Sequence, residues 1–427
     1  MKGCFATRNG LIVLTCAIIL SLLVLLITNW SFYDIYVADF NHLDRLSVVQ
    51  VTRIFPQGGD DVKFDQPWAL PNIKIIESIE DINESERYVI SNFSWSPGLG
   101  NLMFQYASLR AIAERYNAKL IIPVKCTLRR GFKLDAIIVN NELNDELIRQ
   151  YSSSKRHFAV TLSYLINKRH IFSEFYNFND GIFKIQCIFL SCCKYYGKEV
   201  DELFVDQSFE YISGYLQSYR YFHPQQEHLI HKQFTFLPEI VKLADDYLQE
   251  AKYEKLHARV TDIIPADIDL RNYPDHVDIN KDFYGHVYVG IHIRHGMDIT
   301  MNSRNIKYGH TTITKDYIIN AMNYFRSRFE KLIFVISSDN EHWVKTNINH
   351  TRKGEIYIVS SGYREVDMAT LIRCNHTIMS TGTFSWWIAY LTNGTTVYYN
   401  NWPKPNSVLE KMIKKDEYFL NNWIPIS

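Results

Sequence analysis

HVYVGIHIR, residues 286–294, is an apolar run that ends on an arginine. It reads as a β-strand covered on both faces. KDYIINAMNYFRSRFE (315–330) follows as an amphipathic helix, and KLIFVIS (331–337) as the next strand. The alternation then continues through SDNEHWVKTNI (338–348, helix), EIYIVS (355–360, strand) and VDMATLIRCN (366–375, helix). It closes with HTIMS (376–380, strand), FSWWIAYLT (384–392, helix) and TTVYYN (395–400, strand). Strands and helices joined by short loops predict a parallel sheet with helices on its faces. Such sheets bind ligands beyond the carboxyl ends of their strands, so chemistry is expected there.

Further toward the N-terminus, RYVISNF (87–93) reads as a strand and SPGLGN (96–101) as a glycine turn. LMFQYASLRAIAERY (102–116) reads as a helix and AKLIIP (118–123) as a second strand. This is a βαβ opening, and it predicts a second α/β unit. Between about 127 and 281 the pattern gives only helical patches, around KRHFAVTLSYLINKRH (155–170) and PEIVKLADDYLQEAKYEKL (238–256). Residues 29–86 lack sustained periodicity and read as a stem.

LIVLTCAIILSLLVLLIT, residues 11–28, carries no charge. As a helix these residues span roughly 27 Å, enough for a thin bilayer. Lys2 and Arg8 precede the segment, and Asp34 and Asp39 follow it. That asymmetry predicts an uncleaved anchor with residues 1–10 cytosolic and the rest lumenal. A cleaved signal peptide would need a small-residue cleavage site, and the chain continues instead as NWSFYDIY. Sequons at Asn83, Asn92, Asn349, Asn375 and Asn393 fit a glycosylated, lumenal chain; a sixth, at Asn29, falls too near the membrane. Asn83 and Asn349 are expected to be accessible, and Asn375, in an apolar stretch, buried. Of the seven cysteines, Cys126, Cys187, Cys192, Cys193 and Cys374 would be lumenal; the odd number leaves one unpaired within the chain.

With 427 residues, 47% hydrophobic and 22% charged, the chain has ample material for folded cores. Lys+Arg and Asp+Glu both number 46, which argues against a dedicated nucleic-acid binder. The aromatic share of 14% is expected to go into the core.

Four clusters fall at the carboxyl ends of strands. GIHIRHGMD (290–298) places Arg294 there, beside His295 and Asp298; an arginine fork can grip a diphosphate. Within that strand His292 precedes Arg294 by two, so it points into the sheet. SPGLGN offers Gly98 and Gly100 before a helix, either as a ligand loop or as a plain tight turn. MSTGTFSWW (379–387) sets hydroxyls and backbone N–H groups at a helix start, suited to a phosphate or to capping. Asp339 and Asp367 are carboxylates able to accept two N–H bonds from a base, or to favour a helix start. Together these clusters describe a pocket for a nucleoside diphosphate.

They also resemble the α1,2-fucosyltransferase family. GLGNLMFQYASLRAIA (98–113) is similar to its GLGNQMFQYA signature, and GIHIRHGMD to its H-x-R-R-G-D donor motif. SSDNEHWVK (337–345) and DMATLIRCNHTIMSTGTFSWWIAYL (367–391) resemble its second and third motifs, and GYLQSYRYF (214–222) a further segment. The resemblance spans about Ser96 to Asn400. It implies a GT-B-like fold of two Rossmann-type domains facing a cleft, behind one N-terminal transmembrane helix. The domains would be 87–285 on the acceptor side and 286–427 on the donor side. It implies GDP-L-fucose as donor, a β-galactoside 2-hydroxyl as acceptor, inversion, no metal or other cofactor, and a Golgi type II membrane protein able to form homo-oligomers. Arg294 carries over as the diphosphate-holding arginine and Asp298 as a candidate base. Gly98, Gly100, Asn101, His292, His295, Asp339, Asp367, Thr383 and Phe384 carry over to the donor site. The chain departs from the pattern at His295, where the family has a second arginine, and at Leu102, where it has Gln. Other readings are a different acceptor hydroxyl, a non-catalytic carbohydrate-binding relative, or a metal-dependent enzyme using Asp267 and Asp269.

Overall fold

The computed structural model describes residues 65–93, 98–152, 192–201, 203–204, 208–212, 214–263, 285–348 and 354–427. The expected anchor at 11–28, the helical patch at 155–170, Asn29, Asn349, Cys187, Asp267 and Asp269 lie outside those residues.

The alternation at 286–400 does build a parallel sheet. Its strands are β6 (Val287–Ile293), β7 (Leu332–Ser338), β8 (Ile356–Ile358), β9 (His376–Met379), β10 (Thr396–Tyr399) and β11 (Ile424–Ile426). They run in the order β11-β10-β9-β6-β7-β8, every pair parallel. The order turns back at β6, whose neighbours β7 and β9 sit on its two sides. A crevice opens at such a reversal, at the carboxyl end of the strand. Arg294 is the first residue past that end.

The N-terminal sheet has the order β1-β4-β3-β2-β5, also all parallel. Its strands are β1 (Ile75–Ile76), β2 (Arg87–Ile90), β3 (Ala118–Pro123), β4 (Ile137–Val139) and β5 (Phe209–Tyr211). The helices used below are α1 (Leu99–Arg115), α2 (Asn141–Ser152), α3 (Pro238–Ile263), α4 (Ser303–Tyr308) and α5 (Lys315–Arg326). They continue with α6 (Glu341–Asn347), α7 (Arg364–Ile372) and α8 (Thr383–Thr392).

One expectation changes. The stem was expected to reach Glu86, but β1 pairs with β4 and Trp68 is buried, its Nε1 donating to Arg130 O at 2.8 Å. Short strands with few apolar residues leave no periodicity to read, which is why this stretch looked irregular. Hydrogen bonds also join the residues on either side of position 285. Ser218 Oγ donates to Glu417 O at 2.8 Å and Tyr195 N to Glu417 Oε2 at 2.8 Å, so the C-terminal end packs on the first half. Gln66–Ser427 is one compact unit containing both sheets.

The aromatics fill its middle. Trp386 and Trp387 of α8 are fully buried, with Phe104 of α1 at 4.4 and 5.1 Å from their ring centres. Trp387 stacks on Phe222 at 5.6 Å. Burying four such rings removes several hundred Å² of apolar surface from water, and their indole N–H groups reach carbonyls: Trp386 to Tyr418 and Trp387 to Gly100. Cys192 and Cys193 form a disulfide, while Cys126 and Cys374 are buried free thiols. Among the described residues no helix is long and apolar enough to cross a membrane.

Candidate active site

Strand β6 delivers its side chains alternately to opposite faces. His292 therefore turns into the layer between sheet and helix. Its Nδ1 lies 2.6 Å from Ser385 Oγ and 3.3 Å from Ser380 Oγ, and the two hydroxyls are 2.8 Å apart. The ring of Phe384 lies over it at 4.7 Å. Burial, reinforced by the Arg294 charge, pulls the imidazole down to about 3, so it stays neutral. His292 was expected among the donor contacts; the structure places it at 8% exposure, bonded to the two serines.

Two residues on, Arg294 emerges at the edge. Its backbone N–H donates to Ser380 Oγ at 3.2 Å, tying β6 to the turn after β9. Its Nε donates to Asp298 Oδ2 at 3.0 Å, and its Nη2 binds the same oxygen. Asp298 is exposed and its carboxylate is engaged with the guanidinium, the posture of a counter-ion more than of a free base. The guanidinium runs along Gly382: a Cβ there would stand 2.7 Å from Arg294 Nη1. Gly382 has φ +93° and caps α8 without any side-chain hydrogen bond.

The loop after β6 is held by Asp339, whose Oδ1 accepts from His295 N at 2.6 Å. Asn340 Nδ2 returns a bond to His295 O at 3.2 Å, and Trp343 of α6 stacks on the His295 ring at 4.4 Å. Burial raises the Asp339 carboxyl, and the backbone N–H groups of His295 and Gly296 partly oppose that rise. Asp367, in the first turn of α7, accepts from Ser361 N at 3.0 Å, Ser361 Oγ at 2.7 Å and Ser337 Oγ at 3.3 Å. Burial raises its carboxyl as well, with the Ser361 bonds opposing. Both aspartates hold loops at the carboxyl edges of β6, β7 and β8.

The glycine turn is corrected. Leu99, Gly100 and Asn101 are the first turn of α1, and Gly98 is its exposed N-cap. A Cβ on Gly100 would stand 2.5 Å from Thr383 C and 2.6 Å from Phe384 N. Gly100 thus lets the start of α1 touch the start of α8, and its role is packing. Asn101 Oδ1 accepts from Thr383 Oγ1 at 2.7 Å and from Gln217 Nε2 at 3.0 Å. The two glycine-bearing clusters expected at separate strand ends are therefore in contact.

Ser385 and Gln217 were not anticipated. Ser385 sits mid-motif without a spacing signal, and Gln217 lies far from its partner in sequence. Among the described residues no group of three or more His, Cys, Asp or Glu is arranged to hold a metal ion. Of the sequons, Asn83 and Asn393 are exposed and Asn92 is half-buried. Asn375 was expected to be buried but is exposed, because it precedes β9 and its Oδ1 accepts from Tyr288 N at 2.8 Å at the open end of β6.

Residues 270–427 match the family described as Glycosyl transferase family 11. The match covers this part of the chain alone. It includes β6 to β11 and the whole Arg294 edge. Galactoside alpha-(1,2)-fucosyltransferase 2 of Sus scrofa is 37% identical over 142 residues, which is 33% of this chain and 41% of that one. Galactoside alpha-(1,2)-fucosyltransferase 1 of Homo sapiens is 37% identical over 145 residues, 33% of this chain and 38% of that one. The matched stretch thus spans about two fifths of these curated relatives. The NodZ alpha-1,6-fucosyltransferase soaked with GDP-fucose aligns with 74% of this chain and 95% of its own, at 14% identity and a TM-score of 0.42.

Proposed function

We propose that this protein is a galactoside α1,2-fucosyltransferase that moves L-fucose from GDP-fucose, with inversion, to the 2-hydroxyl of a β-galactoside. The observation that carries the reading is the meeting of Arg294 with the uncapped start of α8, at the point where the strand order of the parallel sheet reverses. A permanently charged fork and free backbone N–H groups are what a leaving diphosphate requires. The family match supports fucosyl transfer, and the names of the matched relatives support the galactoside and its 2-position.

In this reading the acceptor oxygen attacks the anomeric carbon from the face opposite GDP. The bond from that carbon to phosphate breaks with its electrons left on GDP, and one proton is released. Arg294 neutralises the growing charge. Its partner Asp298 must yield the guanidinium as the diphosphate enters. The charge comes from the chain itself, and GDP-fucose is a substrate. A GT-B-like arrangement, with residues 87–285 on the acceptor side and 286–427 on the donor side, is part of the same proposal. So is the Golgi type II topology, which rests on the uncharged segment 11–28 and the sequons, and so is self-association in the membrane.

The test is transfer from GDP-fucose to a panel of β-galactosides, with and without EDTA, followed by linkage analysis of the product. Transfer to the 2-hydroxyl in EDTA is the expected result. Product at another hydroxyl would move the assignment to a different acceptor, and GDP binding without turnover on any acceptor would mark a non-catalytic relative.

A further inference from the structure

We infer that His310 is a second donor to the departing diphosphate, acting beside Arg294 through its Nε2–H. The inference rests on the diphosphate reading of this edge. His310 lies between α4 and α5, near Arg294 and Asp298, whose charges both act on it. Its loop is held from three sides. His310 N donates to Asn305 O at 3.0 Å, Lys404 N donates to Gly309 O at 3.0 Å, and Thr381 Oγ1 donates to Thr311 O at 3.3 Å. The last bond fastens the loop to the turn that precedes α8. The Tyr308 ring stacks on the imidazole at 6.0 Å.

The two ring nitrogens differ. Nδ1 is buried with no hydrogen-bond partner, whereas Nε2 is not among the buried unpartnered atoms. A buried N–H without an acceptor is the rarer and costlier arrangement, so the proton belongs on Nε2. Burial, together with the Arg294 charge, pulls the group down to about 4, so the imidazole stays neutral at physiological pH. A neutral ring with its proton on the open nitrogen is a donor, not a base. As the bond between fucose and phosphate breaks, charge grows on the diphosphate oxygen, and this N–H meets it. The second arginine of the donor motif is replaced by His295, which is stacked on Trp343, so a further donor from elsewhere in the fold fills a chemical need.

The test compares wild-type protein with His310→Ala and His310→Gln, using calorimetry with GDP and steady-state transfer kinetics. A hydrogen bond to a charged group predicts that His310→Ala lowers GDP affinity and kcat by roughly ten- to a hundredfold, with acceptor KM unchanged. Gln supplies an N–H of similar reach, so His310→Gln should recover most of that loss. The wild-type rate should show no step that disappears in His310→Gln across about pH 5.5 to 8. A base would behave oppositely: Gln as damaging as Ala, and a pH step lost in both. Either result overturns the inference. If Ala unfolds the loop, His310→Gln with wild-type melting still decides between donor and base. Tight GDP binding by wild type that His310→Ala matches overturns this inference alone; no GDP binding by wild type overturns the diphosphate reading with it.

Discussion

Helices α1 and α8 both begin at a glycine, at the carboxyl side of a parallel sheet, with no side-chain cap. Their first turns do different work. Leu99 and Gly100 of α1 are buried, and Gly100 exists so that the backbone of α8 can lie against it. The start of α8 stands beside Arg294, and Gly382 exists so that the guanidinium can pass. A glycine at a helix start is thus an instruction about clearance, and what needs the clearance decides the function. At α1 it is another helix; at α8 it is a charged side chain at an open edge.

The largest break in that comparison is removal of the charge. Arg294→Ala should reduce transfer by about 10²–10³-fold, the loss typical of one electrostatic donor to a developing anion. GDP affinity should fall with it, while thermal stability changes little. A variant that melts early and still binds GDP would place Arg294 in the structure and not in the chemistry. Arg294→Lys should recover only part, because a point charge cannot make the two-pronged contact.

Alanine at the two glycines sharpens the contrast. Gly382→Ala places a Cβ 2.7 Å from Arg294 Nη1, at φ +93°. The guanidinium tip can shift, so the effect should appear as misplacement, with activity down by about 10²-fold. Gly100→Ala meets backbone atoms at 2.5–2.7 Å, which cannot move without parting the helices. It should cost about 1–3 kcal/mol of stability with KM for GDP-fucose unchanged in the remaining folded enzyme. Urea titration and donor KM on both proteins would separate the roles, and equal effects on both readouts would erase the distinction.

That distinction shows what the sequence can carry. The second sheet was legible because its strands are continuous apolar runs and its loops are short. Arg294 was legible because a charge directly after such a run has only one place to go. The first sheet was harder: β1 has two residues and β4 three, too short for any period. Gly100 was misread as loop because GxG has the same local chemistry in a turn and at a close helix crossing. The contact that decides, Gly100 with Thr383, joins positions 283 apart in sequence, as 383 − 100 gives. His292 was legible as a buried residue, since it lies inside an apolar strand covered on both faces, but its two serine partners were not.

His292 gives the next effect. Its folded value of about 3 lies below the ordinary 6.5 of the unfolded chain. The unfolded state therefore takes up a proton first as pH falls. The stability the neutral ring contributes is complete above about pH 6.5 and is lost progressively toward pH 3. At pH 5 the loss from this residue alone should be about 2 kcal/mol. Urea unfolding at pH 7 and 5 should show that drop in wild type and a shallower one in His292→Gln. An identical slope in both proteins would mean that the ring is hydrated and its pair of serines is not closed.

The smallest effect should come from Asn101, the residue that links the two helix starts. Its Oδ1 serves Thr383 Oγ1 at 2.7 Å and Gln217 Nε2 at 3.0 Å, two donors far apart in the chain. Ala removes the shared acceptor, and at about 1 kcal/mol for each partly buried bond the cost should be about 1–2 kcal/mol. Asp keeps an acceptor in the same place and should recover much of it, since both partners are donors. If Asn101 instead gripped the nucleotide, Ala would raise donor KM with stability intact, and Asp would be worse than Ala because it would set a negative charge against a diphosphate. The order of the two variants, more than the size of either effect, tells a bracket between helices from a contact with substrate.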